Sequence, residues 1–296
     1  MNPAWYADPT LQTVALGGAL IGGISGALGT LAYLRRESLI GDVVAHSSLL
    51  GILAAFLVGY AVTGTGGKQA WLLLPGAMLA GLLAAATVSW ITTRTRLAPD
   101  AALGVMLALY FGSAMTLLRW VQRRSPAIPG RAGLDEYLFG MAAATTRADV
   151  LMIACIGAIA IAALVCFWVP IKWFVFDPEH MRSMGGVTWP VRLLTMMLLV
   201  VAIVIGLQTV GVILMVSLLI APAAAARQWT NHLSMMVVLS AAIGASVCAT
   251  GAILSGVIGR LPTGPVIVIL VTVVFAISIL FSPSRGVLTS RWRRVA

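Results

Sequence analysis

Charged residues are scarce in this chain of 296 residues. Only 9% of its residues are Asp, Glu, Lys or Arg, whereas 60% are hydrophobic. Long stretches carry no charge at all, and a water-soluble domain of this size could not bury so much apolar surface. The composition therefore excludes a soluble globular protein and indicates a polytopic membrane protein that is surrounded by the lipid bilayer.

Cysteine and the motifs of nucleotide binding and catalysis are also lacking. The three cysteines lie apart within apolar runs, without a C-x-x-C or Cys/His cluster, so they predict neither a metal site nor a disulfide framework. The segment nearest to a G-x-x-x-x-G-K-[ST] motif, 64–69, lacks the first glycine at the required spacing and has Gln69 after its lysine. We therefore expect no enzyme activity and no permanently bound cofactor, and any ATP must be hydrolysed by another polypeptide.

Apolar runs of about 17–25 residues, the length needed to cross a bilayer, recur along the whole sequence. We expect an all-α fold with about nine transmembrane helices, eight to ten being compatible, in one integral domain over residues 1–296. The long run 191–228 is divided at Gly206–Gly211, where two glycines and two polar side chains weaken a helix. The predicted helices cover 11–34, 39–62, 71–91, 99–119, 148–169, 191–207, 211–228, 233–258 and 264–283.

The basic residues predict how these helices are oriented. The first ten residues contain no Lys or Arg, so the first apolar run lacks the cationic start of a signal peptide and is expected to stay as a helix. A cytoplasmic C-terminus places twelve of the nineteen basic residues inside. The loop 119–147 is the exception, and its segment 134–140 is expected to form a short amphipathic or re-entrant piece. Because the charges flank helices, the net charge of +10 indicates no nucleic-acid partner.

Asp42 and His46 are titratable residues inside the otherwise apolar run 39–62. At a spacing of four they share one helix face, so a carboxylate oxygen and an imidazole nitrogen could bind the same cation. His46 lies ten residues beyond Arg36, about 15 Å deeper and near the middle of the hydrocarbon layer. Placing an ionisable group at this depth costs free energy unless the group meets a partner, a cavity or a passing ion. A metal pathway, a structural Asp–His hydrogen bond and a proton relay all remain open.

A second polar segment predicts a short capped helix between two membrane spans. Asp177 has the residue type of an N-cap, Pro178 suits the first helical position, and Glu179 complements the positive end of the helix dipole. Gly185 and Gly186 close the helix. From these residues alone, an ordinary capped loop helix and a helix that contacts a partner protein both remain open.

Seven segments in the same order resemble the membrane subunits of bacterial manganese/zinc/iron ABC importers. The first, 34–51, is similar to that family's signature around an Asp and a His, although Val43, Ala45 and Leu50 differ from the usual residues. The others are 97–104, 133–140, 176–185, 210–227, 261–265 and 281–286. The resemblance runs through most of the chain and implies a permease subunit in the bacterial inner membrane.

The resemblance also implies partners and roles. The importer would contain a second permease chain, identical or different, separate ABC ATPase subunits and an extracytoplasmic metal-binding protein. Asp42 and His46 would contact the transported Mn(II), Zn(II) or Fe(II), with further ligands from another helix or from the other permease chain. The cytoplasmic segment of about 171–190 would couple to the ATPase. The residues of this coupling segment would be Asp177, Pro178, Glu179, Arg182 and Gly185.

Three metals and two alternative functions stay open at this point. Oxygen and imidazole donors without thiolate suit all three metals, and the pattern at 133–140 looks closer to the manganese-type branch, which favours manganese. A proton-coupled secondary metal transporter would use Asp42 and His46 as its relay. An ABC permease for siderophores or other organometallic ligands would need a wide polar cavity.

Overall fold

The computed structural model describes residues 9–35, 37, 39–64, 70–124, 128–130, 133–134, 140, 146–258, 262–282 and 286. In this part of the chain the secondary structure consists of eleven α-helices, and no strand is present. The helices are α1 (Pro9–Leu34), α2 (Ile40–Thr63), α3 (Ala70–Arg94), α4 (Pro99–Arg123), α5 (Arg147–Cys166), α6 (Trp168–Phe176), α7 (Pro178–Ser183), α8 (Thr188–Val210), α9 (Val212–Trp229), α10 (Leu233–Ile258) and α11 (Thr263–Phe281).

Eight of the described helices are long and apolar enough to cross a membrane. They are α1 to α5, α8, α10 and α11, and the shorter apolar stretch Leu214–Trp229 lies in α9. These helices correspond to the nine predicted from the sequence, so the all-α polytopic fold is confirmed. The cytoplasmic C-terminus stays a prediction. Residues 135–139, the centre of the predicted amphipathic piece, and the basic tail beyond 286 lie outside the described residues.

The predicted break in the run 191–228 is present and is centred on one glycine. Gly211 has φ 85° and ψ 162°, and φ lies in a region that residues with a Cβ rarely adopt. Its backbone N–H donates to the carbonyl of Leu207 at 3.1 Å, while its own carbonyl accepts from the N–H of Met215 at 3.1 Å. One residue therefore ends α8 and caps α9, and both of its own backbone groups are hydrogen-bonded within the protein.

The centre of the molecule is built around α1, which packs against α5, α8, α9 and α10. Its contact with α10 is so close that a Cβ placed on Gly22 would overlap the carbonyl oxygen of Gly244, and a Cβ on Gly244 would overlap that of Gly22. One turn along, the hydroxyl of Ser240 donates to the carbonyl oxygen of Gly26 at 2.6 Å. Small residues and interhelical hydrogen bonds are the usual means of joining helices in lipid.

Helix α4 lies at the edge of the described structure and contacts mainly α2 and α3. Most of its length is exposed, and a Cβ added to Gly104 or Gly112 would meet no atom of the other described elements within 4 Å. Phe111 is 41% exposed on the same side. Asp42 and His46 lie at this edge, on α2.

Candidate functional site

Helix α2 presents Asp42 and His46 on its outward face. Both side chains are half-buried, and the same stripe continues through Leu50, which is half-buried, to Ala54 and Val58, which are exposed. The opposite face of α2, represented by Val44 and Ile52, is buried in the main core. Apolar burial of that face fixes the rotation of α2. The predicted pair therefore lies at the edge of the described chain and not in its interior.

The imidazole of His46 has an aromatic neighbour and forms no hydrogen bond with the described residues. The ring of Phe111 on α4 lies edge-on to it, with the centroids 4.6 Å apart and an interplanar angle of 65°. The Nδ1 atom of His46 is buried and has no partner among the described residues. A nitrogen held by packing on one side and left unbonded keeps its lone pair available to a cation when it is the unprotonated atom. Phe111 had no signal in the sequence that would mark it as part of this site.

A structural hydrogen bond does not explain the pair in the described part of the chain. The carboxylate of Asp42 and the imidazole of His46 form none with each other or with a neighbouring helix there. The same part of the chain contains no group of three or more His, Cys, Asp or Glu side chains placed to hold a metal. A single chain, as far as it is described, therefore offers two donors, whereas Zn(II) sites generally have four ligands.

The second candidate segment forms the capped helix that its sequence predicts. The Asp177 carboxylate accepts from the backbone N–H of His180 at 2.9 Å, and Pro178 occupies the first turn of α7. At the other end Gly185 has φ 79°, and its N–H donates to the carbonyl of Arg182 at 3.0 Å. The predicted local structure is thus confirmed, because each end uses a residue with the required side chain or backbone freedom.

The surface around α7 is unusually apolar. Met181 anchors the helix and is 6% exposed, and the charged side chains of Glu179 and Arg182 lie on the exposed side. Large hydrophobic residues that are more than half exposed flank the helix, namely Phe176, Met184, Val187 and Trp189. A small rigid helix with exposed apolar neighbours has the character of a contact surface for a partner or for the membrane interface.

A charged group between these two regions was not singled out from the sequence. Arg35, just after α1, forms an ion pair with Glu37, with 2.7 Å between Nη2 and Oε1. The guanidinium of Arg35 also lies over the ring of Phe174 on α6, 4.2 Å from its centroid. The only sequence signal was a pair of opposite charges beside an apolar run, which does not identify an aromatic partner distant in the sequence.

Comparisons with known proteins agree with this architecture over nearly the whole chain. A profile of the ABC 3 transport family matches residues 7–282. The chain is 39% identical to the zinc transport system membrane protein TroC of Treponema pallidum, over 98% of this chain and 94% of that protein. It is 38% identical to the manganese transport system membrane protein MntC of Bacillus subtilis, over 94% of this chain but 62% of the relative, so it spans less than two thirds of that protein.

Among solved structures, PsaBC from Streptococcus pneumoniae in complex with Fab matches with a TM-score of 0.81 and 26% identity. The match covers 99% of this chain and 97% of that chain. The helix arrangement described above is therefore shared over the full length and is not confined to the α2 signature. On the profile match and the two relatives, the chain belongs to the ABC 3 transport family.

Proposed function

We propose that this chain is the membrane permease subunit of an ATP-driven importer of divalent transition metal ions in the bacterial inner membrane. The observation that carries the proposal is the pair Asp42 and His46, which share one face of a membrane helix and lack any hydrogen bond to the described residues. Such groups are costly in lipid unless they meet a partner or an ion. The two relatives are named for zinc and manganese transport, so we propose a divalent transition metal as the ion that meets this pair.

A second permease chain would cover the outward face of α2 and α4. Half-buried Asp42 and His46 do not suit direct contact with lipid, and the open space beside Gly104 and Gly112 permits close approach of another helix. In a symmetric dimer the same patch is used twice, so a second copy would bring a second Asp–His pair. Two pairs would provide four donors, which is a complete shell for Zn(II) and a partial one for Mn(II) or Fe(II). Phe111 would restrict water access to this site.

Manganese remains our favoured substrate, with zinc and iron as the other candidates. Carboxylate and imidazole donors accept all three divalent ions, and no cysteine lies beside the pair to favour a thiophilic metal. The two relatives reported above are named for different metals, zinc and manganese, at nearly equal identity. Competition between the three metals for uptake by one reconstituted transporter would establish the preference.

The energy for transport would come from separate ABC ATPase subunits that dock on the segment 171–190. In α7, Asp177 and Pro178 set the start of the helix, and Gly185 sets its end. Glu179 and Arg182 supply exposed charge, and the flanking hydrophobic residues supply contact area. Residues 1–296 would form one transmembrane permease domain, and an extracytoplasmic metal-binding protein would deliver the ion from the other side. Metal ions would pass through this complex as substrates, and no cofactor would stay bound.

Uptake by the complete complex in liposomes tests the metal site. We expect Asp42→Asn and His46→Ala to lower initial metal uptake by more than about tenfold, because each removes a donor, and even ligand-supporting residues cost this much. Asp100→Asn and His232→Ala are matched controls, since both side chains are exposed and outside the site. Near-normal uptake by both site variants at equal protein levels would contradict the proposal. Uptake driven by a proton gradient without ATP would instead support a secondary transporter.

The coupling segment has its own test. Glu179→Lys reverses a charge at the start of α7, where an anion is favoured by about 0.3–1 kcal/mol, and Gly185→Val places a β-branched residue at φ 79°. We expect the double variant to lose metal-stimulated ATP hydrolysis while metal binding at Asp42 and His46 persists. Wild-type stimulation and co-purification with the ATPase would show that the docking surface lies elsewhere.

A further inference from the structure

Four side chains meet where α1, α2, α6 and α8 come together, and we refer to them as the Arg35 cluster. They are Arg35 and Glu37 between α1 and α2, Phe174 in α6 and Arg192 near the start of α8. The proposed function assigns no role to any of them. They join the chain segments that lead to the two candidate sites.

The contacts within the cluster are specific. Glu37 accepts a charge-assisted hydrogen bond from Arg35 at 2.7 Å, and the same guanidinium lies 4.2 Å from the centre of the Phe174 ring. Arg192 is half-buried, and the charged groups that act on it electrostatically are Glu37 and Arg35. Arg35 thus has an anion and an aromatic face as partners, and Arg192 is near enough to interact electrostatically with the pair.

The cluster is enclosed but incompletely bonded. The side chains of Arg35 and Glu37 are only 18% and 22% exposed. Three buried polar atoms of the cluster have no hydrogen-bond partner among the described residues, namely Nε of Arg35, Oε2 of Glu37 and Nε of Arg192. Buried charges of this kind are poor sources of stability, and their best-attested use is to specify or switch an arrangement. A group with spare donors and acceptors can exchange one set of partners for another without breaking the apolar core.

The position of the cluster in the chain connects it to both candidate sites. Phe174 precedes Asp177, the N-cap of α7, by three residues, and Arg192 lies in the helix that follows α7. On the other side, the carbonyl of Glu37 accepts a hydrogen bond of 3.0 Å from the N–H of Ile40. Ile40 is the first residue of α2. Asp42 follows Glu37 by five residues. Movement of α6 and α7 would therefore act on the start of α2 through contacts of the cluster.

We infer that the Arg35 cluster is an internal joint that transmits movement of α7 to Asp42 and His46 on α2, and that Arg35, Glu37 and Phe174 are positioning residues for coupled transport. This inference rests on the proposed function. The stack of Arg35 on Phe174 carries the movement from α6, and the ion pair with Glu37 passes it to the start of α2. Such a role requires two arrangements of the same contacts, which the spare polar atoms allow.

The test measures ATP hydrolysis and metal uptake in the same liposomes that contain the complete importer. Phe174→Leu removes the aromatic face but keeps an apolar side chain, and Glu37→Gln removes the charge but keeps the shape. We expect metal taken up per ATP to fall by roughly 2- to 30-fold, the range over which residues between coupled sites modulate their coupling. Equilibrium binding of Mn(II) to the purified complex should stay within about twofold of the wild type.

Three further variants separate coupling from simple structural damage. Phe174→Tyr keeps the ring face and should retain the wild-type ratio of uptake to hydrolysis. Phe167→Leu, at an exposed phenylalanine seven residues earlier, and Asp100→Asn, at an exposed carboxylate, are matched controls that should also retain it. Should Phe174→Leu fail to fold, Arg35→Lys provides the same test, because it keeps the charge and loses planar stacking on the ring.

Each outcome decides the inference. A lower ratio in Phe174→Leu with normal binding supports the joint. An unchanged ratio in Phe174→Leu, or a parallel loss of uptake and hydrolysis, overturns it while leaving the proposed function intact. Wild-type uptake that does not depend on ATP would overturn the proposed function, and the joint would fail with it.

Discussion

The seam between α1 and α10 and the outward face of α2 and α4 both contain glycines in apolar helices, yet their surroundings are opposite. At Gly22 and Gly244 each backbone occupies the space where the other residue's Cβ would lie. A Cβ added at Gly104 or Gly112 would have no described atom of another element within 4 Å. Glycine lets helices approach closely because it has no side chain. In lipid this close packing matters because apolar surface gains no advantage from contacting another helix instead of acyl chains.

The difference separates two uses of small residues. In the seam the glycines are fully used within one chain, so they contribute to folding. On the outward face the space is empty in one chain, and the same face carries Asp42 and His46 without hydrogen-bond partners in the described structure. We interpret the seam as a contact that is complete within one chain. We interpret the outward face as a surface that packs against another chain. Substitutions in the two regions should therefore affect different measurable properties.

The largest effect is expected from Gly22→Val in the seam. The new side chain would overlap the carbonyl of Gly244 and the sulfur of Cys248, and the backbone of α10 cannot move aside without disturbing the core. We expect a loss of about 3 kcal/mol or more in stability, seen as aggregation in detergent or a much lower melting temperature of the purified chain. Gly104→Val is the matched control and should fold normally. Equal melting curves for the two variants would remove the distinction between the regions.

A smaller effect on folding but a clear effect on association is expected from Gly112→Leu. The single chain has room for the side chain, so the melting temperature of the monomer should change little. Overpacking against a second copy should weaken the dimer by about 1–3 kcal/mol, measured by crosslinking or mass photometry over a dilution series. Ala158→Leu, on the exposed side of α5, is the control for added bulk. If both variants dimerise like the wild type, the second copy binds to another face.

The smallest effect is expected from Ser240→Ala, which sharpens the account of the seam. The substitution removes the 2.6 Å hydrogen bond to Gly26 but introduces no clash. Interhelical hydrogen bonds in membrane proteins contribute about 0.6 kcal/mol on average, so we expect a small decrease in thermal stability and unchanged uptake. A loss as large as that of Gly22→Val would show that hydrogen bonding, and not close approach, holds the seam together.

Whether the sequence predicts a feature depends on how far apart in the chain the interacting residues are. The ends of α7 and the break at Gly211 were predicted because an N-cap, a proline and glycines act on neighbouring residues. The shared face of Asp42 and His46 was predicted because helix periodicity is local, and their roles as ligands stay a prediction.

The remaining features depend on how distant helices pack. The contacts of Phe111 with His46, of Phe174 with Arg35 and of Gly22 with Gly244 each join residues far apart in the chain, and hydropathy alone does not specify such pairs. The position of Asp42 at the edge of the chain is of the same kind. Periodicity shows that it shares a face with His46, but only tertiary packing shows that this face is turned outward.

The outward position of Asp42 and His46 has a consequence for how the protein is made. If the pair is completed by a partner copy, a newly inserted chain has only half of a binding site, since the described part of one chain holds no larger group of donors. An orphan subunit would then conduct no metal, whether or not a gate has formed. Unassembled chains would therefore not leak metal ions across the membrane during biosynthesis. The capacity to transport would arise only when two chains assemble.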